Sequence, residues 1–312
     1  MKAIQISEFG SNEVLSYTEL AEPELNPGQV LIKNQAAGVN PIDWKTCSGG
    51  GAAPFIGDLP FIPGWEFAGT VAKIADDVTT FSVGDPVFGF IRFPERAGCF
   101  AEYVAAPVDQ ISLRPAELPV EAAAGLGLAG LTAWQALFDK GNLKASQRVV
   151  ILAGAGGVGH LAIQLAKWAG AQVITTASAA NHDFLTALGA DVVIDYHTQK
   201  ITDHAKDVDL VIDGIGGQVG IEALACVKPG GTLVTLPSAT KNEVIAAGDA
   251  IKVNVEPIRV EPNSDQLGQL AGLYAEKKLC LNLANTYPLA QVGNAFDESK
   301  TGKVKGKLVL TI

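Results

Sequence analysis

The sequence predicts a two-part α/β chain, an antiparallel barrel-like β domain joined to a parallel sheet covered by helices on both faces. Three observations carry this. The chain has 312 residues, more than one ordinary domain. Its texture changes near Leu118-Pro119, and its last residues return to the first texture. Before that change, short β-like runs such as Gln29 to Lys33, Gly69 to Ile74 and Pro86 to Phe90 are separated by turn signals at Asn26-Pro27-Gly28 and Val83-Gly84-Asp85-Pro86. After it, continuously apolar runs alternate with helix-like segments. The runs are Arg148 to Ala153, Gln172 to Ala177, Asp191 to Asp195, Asp209 to Asp213 and Gly231 to Leu236, and the segments between them include Gly159 to Gly170 and Asn181 to Leu188. That alternation implies a parallel sheet buried on both sides. Lys307 to Ile312 alternates again, so the expected division is 1–122 and 259–312 for the β domain and 123–258 for the parallel-sheet domain.

Composition narrows the function. Apolar residues make up 48% and charged residues 18%, enough for a sizeable core. The net charge of −10 repels a polyanion, and the lysines and arginines are scattered, so no nucleic-acid surface is expected. The N-terminus soon reaches Ser7-Glu8 and lacks the apolar region of a signal peptide. The longest apolar stretch, Val120 to Leu137, carries Glu121 and reads as a buried helix rather than a membrane span. Cys47, Cys99, Cys226 and Cys280 form neither a disulfide framework nor a zinc knuckle. A cytoplasmic protein is expected.

The most informative local signal is Gly154-Ala155-Gly156-Gly157-Val158-Gly159. It follows one apolar run and opens the amphipathic segment His160 to Ala169. Gly154, Gly156 and Gly159 fit a G-x-G-x-x-G turn. In such turns glycines make the tight bend, admit a pyrophosphate to the backbone N–H groups and allow close helix–sheet packing. The helix N-terminus adds partial positive charge. Glycine turns also serve purely structural roles, but the strand–turn–helix–strand context supports dinucleotide binding. A cofactor with an unmodified ribose calls for a carboxylate at the end of the second strand. Here the chain reads Ala177-Ser178-Ala179-Ala180-Asn181, with no carboxylate to repel a 2′-phosphate and with Ser178 and Asn181 as donors. NADPH is therefore expected over NADH. Capping and turn roles remain the alternative for Ser178 and Asn181.

Several segments carry a resemblance over nearly the whole length. They are Ala37-Gly38-Val39-Asn40-Pro41-Ile42-Asp43-Trp44-Lys45, Ile62-Pro63-Gly64-Trp65-Glu66-Phe67-Ala68-Gly69, Val83-Gly84-Asp85-Pro86-Val87, Gly130-Leu131-Thr132-Ala133-Trp134, the glycine turn, and Leu188-Gly189-Ala190-Asp191 with Ile194-Asp195-Tyr196. In this order the chain resembles the medium-chain dehydrogenase/reductase superfamily, in particular its zinc-independent quinone oxidoreductases and enone reductases. The resemblance implies a Rossmann domain inserted into a GroES-like catalytic domain built from both chain ends, with a cofactor cleft between them and a homodimer.

Zinc-dependent members of that superfamily place Cys where Asn40 stands and His where Trp65 stands. No catalytic metal is therefore expected, and Asp43 and Glu66 are a poor zinc site without thiolate or imidazole. Without a Lewis acid, suitable chemistry starts from an acceptor activated by conjugation. Hydride transfer to a quinone or an α,β-unsaturated carbonyl fits, with donors stabilising the oxygen on which charge develops. A double-bond reductase with little quinone activity and a non-catalytic NADPH-binding protein are the alternatives. The resemblance marks Asn40, Lys45 and Thr132 as catalytic candidates, with a solvated lysine and a core or capping hydroxyl as the plainer readings of the last two. It places Tyr196 near the adenosine, Ser238 near the nicotinamide, and Lys307 within reach of the 2′-phosphate. The segments Cys47 to Asp58 and Arg92 to Gly98 are expected to form the lip of the substrate pocket. His160 and His182 read as surface residues.

Overall fold

The computed structural model describes residues 1–312. They form two compact units, one of Met1–Leu131 with Glu261–Ile312 and one of Thr132–Val260.

The first unit begins with the antiparallel pair β1 (Lys2–Gln5) and β2 (Ser16–Glu19). Next come β3 (Gln29–Val39), α1 (Pro41–Cys47), β4 (Glu66–Ile74), β5 (Pro86–Phe90), β6 (Tyr103–Pro107), β7 (Ile111–Leu113) and α2 (Val120–Trp134). The β-like runs of the sequence lie inside these strands, but β3 and β4 are longer than their apolar cores. Strand β3 continues to Val39 because it has partners along its whole length, β4 and β6 at its start and the C-terminal strand at its end. Helix α2 runs unbroken across the boundary of the units, which therefore falls at Leu131 rather than near residue 122. Glycines hold its first part against the sheet. A Cβ on Gly125 would lie 3.3 Å from Val309, and one on Gly127 would lie 3.2 Å from the Gly89 carbonyl.

The second unit continues α2 into a π-helical turn, Gln135–Lys140. Its strands are β8 (Arg148–Ile151), β9 (Gln172–Ala177), β10 (Val192–Asp195), β11 (Val208–Asp213), β12 (Val227–Thr235) and β13 (Asn254–Pro257). The helices between them are α3 (Gly159–Trp168), α4 (His182–Ala187), α5 (Ile201–His204), α6 (Gly217–Ala223) and α7 (Lys241–Ile251). All six strands are parallel, in the order β10-β9-β8-β11-β12-β13. The order reverses direction between β8 and β11, a topological switch point of the kind that places ligands at the carboxyl ends of strands. Val150, Ile174, Ile194, Val211 and Leu233 form the core beneath that edge.

The chain then returns to the first unit as α8 (Ser264–Ala275), β14 (Leu283–Pro288), α9 (Val292–Lys300) and β15 (Lys307–Thr311). Strand β15 pairs antiparallel with β3, Leu308 opposite Val39 and Leu310 opposite Ala37, and so completes the sheet β14-β15-β3-β4-β5-β7. A Rossmann unit is thus inserted into a GroES-like unit built from both ends of the chain. No helix is long and apolar enough to cross a membrane.

Candidate active site

In the GroES-like unit three strand ends converge on a buried polar network. Asn40 follows β3 and caps α1, whose first residue is Pro41, a residue suited to that position because no N–H is needed there. Asp43, three residues on, accepts the Asn40 main-chain N–H at 2.6 Å. The Asn40 amide Nδ2 donates to Glu66 Oε1 at 2.6 Å, and its Oδ1 accepts from Lys307 Nζ. Lys307 also donates to Glu66 Oε1 at 2.9 Å and to the Val39 carbonyl at 3.2 Å. The second Glu66 oxygen accepts the Leu128 N–H of α2 at 2.7 Å. Asn40, Asp43, Glu66 and Lys307 are all at most 4% exposed. A buried ion pair persists only when further hydrogen bonds satisfy both charges, and here they do. Gly38 makes room for the network. A Cβ there would lie 2.1 Å from Glu66 Oε1 and 2.4 Å from the Ala124 carbonyl.

Lys307 is therefore a correction to the sequence reading. Its three N–H donors serve Glu66, Asn40 and Val39, so none is left to reach a 2′-phosphate. The network does not fit a zinc ion either. Asn40, at one of the ligand positions of the zinc-dependent members, and Glu66 already hold an ammonium, and no group of three His, Cys, Asp or Glu side chains comes together to ligate a metal. Trp65 is buried with its indole N–H on the Glu95 carbonyl at 2.6 Å.

Burial pushes the Asp43 carboxyl up to about 8; the Asn40 N–H opposes this, the Glu66 charge adds to it, and Lys307 opposes it. One Asp43 oxygen, Oδ1, has no hydrogen-bond partner. Burial also raises the Cys47 thiol to about 12, with Asp43 adding, and lifts Cys99 well above the ordinary thiol value, so both are poor nucleophiles. Lys45 lies on α1 but is exposed, its Nζ 5.4 Å from the centre of the Trp44 ring.

The Rossmann unit carries the second constellation. Gly154 opens the turn by donating to the Thr176 carbonyl of β9 at 3.0 Å, and a Cβ on Gly154 would lie 2.1 Å from Thr175 Oγ1. A Cβ on Gly159 would lie 2.3 Å from the Ala153 carbonyl. These two glycines are demanded by packing. A Cβ on Gly156 would meet only the Ala153 carbonyl, at 3.3 Å, so its outer side is open. The main-chain N–H groups of Ala155, Gly157 and Val158 have no acceptor within the protein, and all three residues are partly exposed. The turn has room for an anion and the donors to hold one.

At the end of β9, Asn181 Nδ2 donates to Ser178 Oγ at 3.3 Å; both residues are half-buried. Tyr196 follows β10, is 58% exposed and packs its ring on His197 at 4.3 Å. Ser238 follows β12 and is exposed. Thr132 is buried inside α2, at the first residue of this unit. His160 is not on the surface as expected. It is fully buried, and its Nδ1 lies 2.9 Å from the Gly156 carbonyl, bracing the turn from below. Asp213 escaped the sequence reading. Fully buried at the end of β11, it accepts from the Ile215 and Gly216 N–H groups at 3.0 and 2.7 Å and from Thr235 Oγ1 at 3.0 Å. Its signal was an Asp-Gly pair closing an apolar run, which reads equally as an ordinary turn.

Two family profiles match the chain, "Alcohol dehydrogenase GroES-like domain" over residues 26–116 and "Zinc-binding dehydrogenase" over residues 188–310. Among curated proteins, the 2-methylene-furan-3-one reductase of Solanum lycopersicum is 33% identical over 99% of this chain and 79% of its own length. The chloroplastic NADPH-dependent alkenal/one oxidoreductase of Arabidopsis thaliana has the same identity and coverage, 33%, 99% and 79%. Among solved structures, the quinone oxidoreductase of Coxiella burnetii is 41% identical, with a TM-score of 0.96 over 100% of this chain and 99% of its own. The chain belongs to the medium-chain dehydrogenase/reductase superfamily, in its group of quinone oxidoreductases and enone reductases.

Proposed function

We propose that this protein is an NADPH-dependent reductase that transfers hydride to a quinone or an α,β-unsaturated carbonyl without a catalytic metal. The observation that carries the reading is the glycine turn, with three unpartnered N–H groups at a helix N-terminus and no carboxylate at the end of the neighbouring strand. The relatives' names supply the acceptor class and the cofactor.

In this reading Gly154, Ala155, Gly156, Gly157, Val158 and Gly159 hold the pyrophosphate, and Ser178 and Asn181 hold the 2′-phosphate. Tyr196 covers the adenosine, and Ser238 follows the strand that approaches the nicotinamide. When bound, NADPH supplies the hydride. The protein's own part is orientation and charge stabilisation. The Asn40 amide is fixed by Glu66 and Lys307, which leaves its second N–H to serve an acceptor oxygen. Lys45 offers an exposed ammonium from the same helix. Thr132 positions the nicotinamide with its hydroxyl, and water protonates the resulting anion. A homodimer working in the cytoplasm completes the proposal, the location supported by four unpaired cysteines. Light scattering and cell fractionation test those two points.

A panel of 1,4-benzoquinone, 9,10-phenanthrenequinone, acrolein and 3-buten-2-one, each with NADPH and with NADH, tests the reaction. Faster oxidation of NADPH by at least one acceptor is expected. NADPH binding with no oxidation across the panel would mean a binding protein. A narrower reading, a double-bond reductase with little quinone activity, is favoured by the names of the two curated relatives, and turnover of the enones alone would establish it.

A further inference from the structure

Arg92 sits just past β5, in the segment expected to form the pocket lip. Its backbone is pinned on every side. The Ile91 N–H donates to the Trp65 carbonyl at 2.9 Å, the Arg92 N–H to Gln110 Oε1 at 2.7 Å, and the Glu95 N–H to the Arg92 carbonyl at 2.6 Å. These bonds hold Arg92 at φ 54, a left-handed conformation that costs a residue with a side chain ~1 kcal/mol or more. The fold thus dictates where this side chain starts.

The other arginines of the GroES-like unit are anchored. Arg96 donates to the carbonyls of Ile56 and Pro60, and Arg114 donates to that of Leu118 at 2.7 Å. The Arg92 guanidinium makes no hydrogen bond or ion pair, although it is half-buried and burial lowers its pKa. Glu95 is close enough for its charge to be felt, yet it forms no ion pair with Arg92. Phe90, two residues before Arg92, stands opposite Glu66 in the β4–β5 ladder, which brings Arg92 close to the Asn40 network. Its sequence neighbour Phe93 packs edge-on against Trp65 at 5.6 Å and lies 5.5 Å from Phe90. An apolar aromatic wall therefore adjoins a partly desolvated cation with its donors unspent.

We infer that Arg92 is a specificity residue, and that the preferred acceptors are conjugated carbonyl compounds that carry a carboxylate. A neutral carbonyl oxygen brings no charge and offsets little of the cost of the half-buried cation. A carboxylate takes two parallel N–H bonds from the guanidinium fork and neutralises it. The carbon skeleton of such an acceptor would lie against Phe93, which is only partly buried and is backed by Trp65. This inference rests on the proposed reductase activity, which supplies the hydride; Arg92 itself only binds.

The test compares 4-oxo-2-pentenoate with its methyl ester as acceptors for NADPH oxidation. Wild type is expected to favour the acid by at least about tenfold in kcat/KM, because the ester leaves the guanidinium unpaired. Arg92→Gln should bring that ratio down about tenfold, and Arg92→Lys should keep part of it. Because the ratio is internal to each variant, a partial folding defect cancels. A wild-type ratio near one, a ratio unmoved in Arg92→Gln, or a defect appearing only in the KM for NADPH would overturn the inference. If no acceptor of any kind is reduced, the reductase reading fails instead. Calorimetric titration with 4-oxopentanoate then decides the carboxylate site. Binding weakened about tenfold by Arg92→Gln supports the site, and equal or absent binding in the two proteins refutes it.

Discussion

Removing the Lys307 ammonium leaves Glu66 as a carboxylate with no counter-charge in a site from which water is excluded. Breaking one side of such a pair costs ~3–5 kcal/mol, whereas replacing both members by neutral groups costs far less. Lys307→Met should therefore lower the unfolding free energy by about that amount in urea titrations, and Lys307→Met with Glu66→Gln should recover much of it. Asp43 gives a prediction of a different kind. Its carboxyl rises from 3.8 to about 8 in the native state, so between those values the folded protein keeps a proton that the unfolded chain has lost. The stability this group contributes is whole below the lower value, falls as pH rises toward the upper one, and is gone above it, with a slope of at most about 1.4 kcal/mol per pH unit. Asp43→Asn keeps an oxygen for the Asn40 N–H but has no proton to lose. Its Tm should fall less than that of wild type between pH 5 and pH 8, and parallel curves would contradict the placement of this carboxyl. Asn40 was visible in the sequence as a residue standing where a metal ligand stands elsewhere, and Glu66 as a carboxylate with no thiolate or imidazole beside it. Their partner was not. Lys307 lies far along the chain, and only the pairing of the last strand with β3 brings it to them.

The glycine turn was the most legible element, because its three glycines follow a strand and open a helix in the spacing of a dinucleotide-binding turn. The structure adds a division of labour that the spacing cannot show. Gly154→Ala would set a methyl on Thr175 Oγ1, and the fold should lose stability by ~2 kcal/mol or more through overpacking. Gly156→Ala meets one carbonyl, that of Ala153, at 3.3 Å, against 2.1 Å for Gly154→Ala, so its Tm should fall much less than that of Gly154→Ala while NADPH binding weakens. Thermal unfolding and calorimetric titration on the two variants separate these outcomes. The end of β9 supports a companion test. Ser178→Asp introduces the carboxylate that the strand lacks, and the ratio of kcat/KM for NADPH to that for NADH should drop by tenfold or more, about 1.4 kcal/mol of repulsion. Other elements were harder to read. Strand β12 begins at Val227, ahead of its apolar run, because it pairs with β11 across a register shift. Strand β13 is short and carries Asn254 and Glu256, so nothing in its pattern marks a strand, and it exists because β12 offers a free edge. The π-helical turn after α2 has no sequence signature.

At the scale of the whole molecule, the GroES-like unit closes only when the chain's last strand arrives. Strand β15 lies between β14 and β3 and is parallel to one and antiparallel to the other, and its Leu308, Val309 and Leu310 are all at most 2% exposed. The alternation of Lys307 to Ile312 made a return strand legible, and the place where it inserts follows from β6, whose pairing with β3 stops at Lys33 and leaves Ala36 to Val39 for the last strand. Proline at Leu310 removes a ladder N–H from a strand with neighbours on both sides, a change found in sheets almost only at edges, and should cost ~3 kcal/mol or more. The Rossmann sheet is complete within Thr132–Val260 and receives no strand from β15. Hydrogen exchange on Leu310→Pro should therefore show protection lost along β3, β14 and β15, together with the network that Lys307 anchors. Amides of β8, β9 and β11 should keep their protection. Uniform loss in both units would mean that the two fold as one cooperative body, and an unchanged β3 would mean that the chain end does not hold the sheet.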